Sequence, residues 1–177
     1  MEERHAHFIK NELVLPMTVI DPDERSPGGD RPSPLKHGFA RLMLCGKLTS
    51  AGADHRLIIE FKGRLLGSTV IYNSFAKADG SDGSGEWETG GIYIGRNAWR
   101  RDSRFSGDIG ISVNAKTARI ITAGLTSFAF NDDRMIGYQT HGIEEGISDV
   151  TEVRVRALTK TVIEGFGKLL LFPVPAK

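Results

Sequence analysis

Residues 105–113 read Phe-Ser-Gly-Asp-Ile-Gly-Ile-Ser-Val, and this stretch decides the fold class. From Phe105 to Val113, every second residue is apolar or glycine, and the residues between them are polar or glycine. Side chains of a β-strand alternate between its two faces, so one face of this segment is suited to a protein core and the other to solvent. The stretch therefore predicts a half-buried strand.

Similar short apolar segments recur on both sides of it, separated by turns rich in Gly, Asp and Asn. They cover residues 5–15, 37–48, 55–62, 68–76, 88–96, 119–130, 134–141, 152–156, 161–163 and 168–172. Gly63 and Arg64 resemble a hairpin turn, and only residues 142–151 have an alternative helical interpretation. We expect an all-β protein built as an antiparallel, calycin-like or similar closed barrel of about 8–11 strands. A two-sheet β-sandwich or jelly roll is the alternative.

The chain is expected to form one β domain over residues 1–177. Four of its seven prolines fall in residues 21–34, which are otherwise polar. Proline lacks the N–H that an interior strand must donate, so this segment is expected to be a flexible loop.

Composition limits the classes of partner and compartment. The net charge is +1, which argues against a nucleic-acid partner. No apolar stretch approaches the ~20 residues that span a bilayer, so no membrane partner is expected. The first residues are charged and lack the apolar segment of a secretory signal, and a single cysteine excludes an intrachain disulfide. We expect a cytoplasmic protein without a cofactor.

A ligand pocket is the first functional hypothesis. Apolar cavities with a few convergent polar groups are typical of small-molecule sites. The residues expected to line such a cavity are Phe75, Phe128, Phe130, Met135, Tyr138, Gln139 and His141. The function would be binding of an apolar small molecule, by a carrier or a cyclase- or isomerase-like enzyme. His141 and Asp108 are the candidates for catalysis. The adjacent acids Glu144 and Glu145 would point to opposite faces of a strand, so they do not predict a catalytic pair.

An assembly role is the second hypothesis. Residues 86–104 hold both tryptophans together with several arginines, and these residue types are enriched at protein interfaces. The residues expected to make subunit contacts are Trp87, Tyr93, Trp99 and Arg100. The protein would then be a structural homo-oligomer.

A metal site is the third hypothesis. His5 and His7 would share one face of a strand, and Glu12 follows them, so imidazole and carboxylate ligands could meet. The spacing resembles part of the first cupin motif and implies a metal-dependent enzyme. The resemblance covers eight residues and lacks the leading glycine of the motif. A solvated strand without metal is the alternative.

Overall fold

The computed structural model describes residues 1–20, 32–49, 55–77, 85–86, 90–97, 103–129, 135–158 and 162–174. These ranges contain strands and turns but no helix, and hence no helix that could span a membrane. The strands are β1 (Glu2–His7), β2 (Glu12–Pro16), β3 (Thr18–Ile20), β4 (Pro32–Pro34), β5 (His37–Leu48), β6 (His55–Lys77), β7 (Gly85–Glu86), β8 (Ile92–Asn97), β9 (Ser103–Asn114), β10 (Arg119–Ala129), β11 (Met135–Ala157) and β12 (Ile163–Pro173). The protein is all-β.

Ten of these strands form one antiparallel sheet. Its order is β1-β12-β5-β9-β10-β11-β6-β7, with β2 added to β11 and β8 added to β6, while β3 and β4 pair separately. The expected closed barrel is not found in the described residues. One edge of β11 pairs with β6, and the other pairs with β10 over residues 135–145. β2 pairs with β11 at residues 152–156, beyond the end of β10. β1 and β2 do not pair as strands; among the described residues, an isolated bridge between Ile9, just after β1, and Glu12 joins the two segments.

The alternating pattern predicted several strands well. β5 has the predicted bounds, and β9 alternates between buried and exposed side chains along its whole length. The single strand predicted over residues 5–15 is instead two, β1 and β2. Of the proline-rich segment, residues 21–31 lie outside the described residues, and residues 32–34 form β4, which pairs with β3.

The longest elements, β6 and β11, form a ribbon that bends in the middle. They pair from Leu57–Ala157 to Lys77–Tyr138, with register shifts after Glu145 and after Ser148. Both the turn predicted at residues 63–64 and the helical alternative at residues 142–151 are therefore wrong. Each proposed break is a place where the ribbon bends while the strands continue.

One glycine and one side-chain hydrogen bond allow β6 and β11 to stay together at this bend. Gly146 has φ +91°, a conformation that other residues rarely adopt. The Thr151 hydroxyl donates a 3.3 Å hydrogen bond to the Lys62 carbonyl oxygen, where the regular ladder is interrupted. The bend is thus a β-bulge region that changes the direction of both strands.

One contiguous hydrophobic core joins the two arms of the ribbon. It includes Ile109 of β9 and Ile120 of β10, together with Leu13 of β2 and Val155 beyond the bend. The second arm of the ribbon and β2 therefore contribute to the same core as the central strands.

A buried carboxyl in a cleft at the bend of the ribbon

Three of the predicted pocket residues lie together in the core. Phe75, Phe128 and Tyr138 are buried, and the Tyr138 ring centroid lies 6.1 Å from that of Phe75 and 6.0 Å from that of Phe128. Tyr93 of β8 completes the group, 4.9 Å from Phe75. These rings pack against one another, so their contacts are those of a filled core.

Three other predicted pocket residues lie on the opposite face. Met135, Gln139 and His141 share one face of β11, as the sequence indicated, but that face is exposed, with Met135 at 74%. They cannot line one cavity with Tyr138, because neighbouring strand positions point to opposite sides. Phe130 lies outside the described residues.

Of the predicted interface residues, the structure describes only Tyr93. Tyr93 is only 1% exposed and belongs to the aromatic core, so it is not a surface contact. A strand was predicted here, over residues 88–96, and β8 is Ile92–Asn97; its residues 92–95 are buried on both faces. Trp87, Trp99 and Arg100 lie outside the described residues.

The predicted metal ligands do not meet. His5 and His7 lie on the exposed face of β1, and His5 Nε2 is 2.5 Å from Glu3 Oε1. Glu12 instead pairs with Arg154, at 2.8 Å between Glu12 Oε1 and Arg154 Nη1. In the part of the chain that the structure describes, no group of three or more His, Cys, Asp and Glu side chains could hold a metal ion.

The candidate catalytic residues are both exposed. Asp108 accepts hydrogen bonds from Arg41, including one of 2.8 Å to Arg41 Nε. The hydrogen bond and charge of Arg41 lower the pKa of Asp108, so this carboxyl stays ionised and is a poor proton donor. His141 lies on the same outer face, opposite Ala123 of β10.

A different residue has the environment of a functional group. A cleft of about 350 Å³ opens where the β6–β11 ribbon bends. Its apolar lining comes mainly from β6 and β11, and charged side chains surround it. The lining residues are Glu60, Phe61, Lys62, Leu65, Thr69, Ile71, Gly90, Gly91, Glu144, Ile147 and Arg154.

Glu144 is the buried acid of this cleft. It follows Tyr138, Thr140 and Gly142 on the inner face of β11 and is only 4% exposed. Its Oε2 has no hydrogen-bond partner among the described residues. Burial, and secondarily the nearby charge of Glu60, raise the pKa of Glu144 to about 7. Near neutral pH this carboxyl can therefore either accept or release a proton.

The other charged groups around the cleft are paired. Arg156 Nη2 lies 2.6 Å from Glu60 Oε1. Arg154 bridges Glu12 and Glu152, with its Nε 2.5 Å from Glu152 Oε1. Among the described residues, these ion pairs occupy the rim of the cleft, while Glu144 Oε2 has no hydrogen-bond partner.

Lys62 belongs to the same rim. Its Nζ lies 3.5 Å from Glu152 Oε1, and the two residues are opposite each other in the β6–β11 ladder. Glu152 therefore receives two cations, Lys62 and Arg154.

The sequence analysis did not select Glu144 as a site residue, because it considered Glu144 only together with the adjacent Glu145, as a possible acidic pair. The two side chains do point to opposite faces, and Glu145 bonds Arg119 on the outer side at 2.5 Å. The sequence did contain one signal for it: Glu144 is a charged residue at a position that continues the alternation of Tyr138, and so falls on the inner face of the strand. The helical alternative for residues 142–151 made this alternation hard to recognise.

A second groove, of about 410 Å³, lies on the outer face of β5, β9, β10 and β12. Phe39, Ile121 and Phe172 are exposed around it, and the Arg41–Asp108 ion pair lies in its wall. It is an apolar surface with one charge of each sign.

No protein-family model matches the chain, and no curated protein shows significant similarity to it. The function is therefore argued from the site itself.

Proposed function

We propose that this protein binds a small organic molecule in the cleft at the bend of β6 and β11. The observation that carries this proposal is the buried Glu144, which lines a cleft of about 350 Å³ and whose Oε2 has no hydrogen-bond partner among the described residues. Binding sites for small molecules are concave, largely apolar and contain few polar groups. A buried polar atom without a partner is costly, and a ligand would supply the missing hydrogen bond.

The cleft replaces the barrel interior as the expected position of the ligand. Phe61, Ile71 and Ile147 offer apolar contacts, and Glu144 offers the orienting hydrogen bond. A carboxyl with a pKa of about 7 is also suited to general acid–base catalysis. The proposed roles are therefore a carrier or an isomerase- or cyclase-like enzyme.

The two-sheet alternative is the architecture that we propose around this cleft. Its support is the close approach of β8 to the inner face of β11. A Cβ atom added to Gly142 would lie 2.3 Å from Ile92 Cγ2, and the Tyr93 and Tyr138 ring centroids are 6.0 Å apart. Layers that approach so closely are typical of a packed sandwich.

Assembly through the outer groove is the second candidate function. The exposed Phe39, Ile121 and Phe172 favour burial, and the groove has both Arg41 and Asp108 in its wall. A surface with both charges can complement a second copy of itself across a twofold axis. The proposed partner is thus another copy of this chain.

Native mass spectrometry of the purified protein tests both candidates. We expect the wild-type chain to retain a small organic molecule, and Glu144→Gln to lose it. Glu145→Gln is the matched control and should retain it, because Glu145 bonds Arg119 away from the cleft. A ligand-free dimer would favour the assembly role instead. A ligand-free monomer would contradict both proposals.

A further inference from the structure

We infer that the cleft selects small organic cations, in which a primary ammonium group on an apolar body donates hydrogen bonds to Glu144. This inference rests on the proposed function and names the class of ligand. It follows from the pairing of charges around the cleft, from the burial of Glu144 and from the apolar residues beside it.

The charge count leaves one carboxylate over. Lys62 and Arg154 line the cleft, and Arg156 lies beside its lining residue Gly90. Each of these cations already pairs with a carboxylate: Lys62 with Glu152, Arg154 with Glu12 and Glu152, and Arg156 with Glu60. Glu144 has no cation among the described residues, and its Oε2 accepts no hydrogen bond from them. When Glu144 ionises, the missing positive charge must come from a ligand or from solvent. Buried charges in proteins are nearly always paired, so a bound cation resolves this deficit.

A second carboxylate near Glu144 disfavours an anionic ligand. The charge of Glu60 contributes to the raised pKa of Glu144, so the two carboxyl groups lie within electrostatic reach of each other. An anion would face two carboxylates, whereas an ammonium group would be attracted to both. The titratable groups that line the cleft with Glu144 are Glu60 and Lys62 of β6 and Arg154 of β11.

The rest of the cleft defines the body of the ligand. Ile71 is opposite Glu144 in the β6–β11 ladder and shares its face, and Ile147 lines the same space. An apolar group attached to the ammonium would contact these side chains and remove their surface from water. A benzyl group meets this description and gives a simple probe.

The test is a ¹H–¹⁵N NMR titration of the full chain with benzylamine, benzyl alcohol and benzoate. The three probes share one ring and differ in charge, and benzylamine stays protonated up to about pH 8. We expect benzylamine to bind most tightly at about pH 8, with shifts centred on Glu144, Ile71 and Ile147. Its affinity should fall about tenfold for each pH unit below the pKa of Glu144, because protonation removes the charge.

Two variants test whether the Glu144 carboxyl itself binds the ammonium group. Glu144→Gln should weaken benzylamine binding by about tenfold or more at this pH, since one charge-assisted hydrogen bond is lost. Glu145→Gln should leave the affinity unchanged. If Glu144→Gln does not fold, the pH profiles of the three probes on the wild-type chain decide the question.

The outcomes distinguish the inference from the proposed function. Benzyl alcohol or benzoate binding more tightly than benzylamine would overturn the cation inference and leave the cleft as a ligand site. If benzyl alcohol binds more tightly than benzylamine and its binding strengthens as pH falls, protonated Glu144 donates the hydrogen bond to the ligand, and the cation inference is overturned. Failure of all three probes to perturb the cleft residues would contradict both proposals.

Discussion

Tyr138 and Glu144 lie on the same face of the same strand, yet one is sealed in an aromatic core and the other lines an open cleft. The difference lies in what covers them. β8 places Tyr93 against Tyr138, whereas the bend at Gly146 turns the ribbon just beyond Glu144. A strand face is thus not uniform: beside the register shifts of the bend, a buried position borders a cleft instead of a packed core.

The largest effect is expected in the sealed region. Phe128 is fully buried, and its ring packs against Phe105 and Tyr138. Phe128→Ala should lower the free energy of unfolding by about 3–5 kcal/mol, because it removes many contacts and leaves a cavity. Leu65, at the rim of the cleft, is 62% exposed, and Leu65→Ala should change stability by about 0.5 kcal/mol or less. Urea denaturation measures both, and equal losses would show that the two regions are packed alike.

A smaller effect is expected from the acid itself, and it depends on pH. Burial raises the pKa of Glu144 from 4.5 to about 7, so the folded state holds this proton more tightly than the unfolded state. The resulting stability is present below about pH 4.5 and is lost as pH rises through about 7. Relative to Glu144→Gln, the wild-type protein should therefore lose about 3 kcal/mol between about pH 4 and pH 8. Denaturation curves across this range measure the difference.

Glu145→Gln is the control for that titration. Its carboxyl is on the outer face and bonds Arg119, so its removal should change stability by about 1 kcal/mol or less. A difference between wild type and Glu144→Gln that stays constant with pH would show that Glu144 is solvated in the folded protein.

The smallest effect is expected at the bend. A Cβ atom at Gly146 would lie 2.8 Å from the Ser68 carbonyl oxygen, and φ there is +91°. Gly146→Ala should cost about 1–3 kcal/mol through backbone strain. Gly110 is the control, because its nearest neighbour would be the Ala123 carbonyl oxygen at 3.6 Å and its φ is not in the strained range. Thermal unfolding of both variants measures the contrast, and equal shifts in Tm would show that the bend is not under this constraint.

The central strands were predictable because their pattern is local. In β5 and β9 the alternation itself records which face is buried. The bend was not predictable in the same way, since Gly63 and Gly146 look like chain breaks in the sequence. In the structure, a Cβ atom at Gly63 would lie 2.4 Å from the Ser148 carbonyl oxygen, so this glycine permits close pairing. Only the partner strand reveals that role.

For the candidate site, too, the local sequence pattern does not show which face of a strand is buried. The sequence correctly grouped Met135, Gln139 and His141 on one face, but it did not show that this face is exposed. Apolar residues such as Leu125, which is 63% exposed, occur on the outer face too and obscure the difference. The burial of Glu144 depends on β6, which is distant in sequence, so no local pattern reports it.

The pairing of β1 with β12 constrains the order of events during synthesis. Residues 2–7 leave the ribosome well before their antiparallel partners, residues 166–171. At 5–20 residues per second, β1 waits on the order of ten seconds or more for its neighbour. Once it has been synthesised, β5 also lacks the partner on its β12 edge until β12 follows, and an unpaired strand edge can pair with other chains. The nascent protein therefore keeps this edge open to other chains until β12 is made.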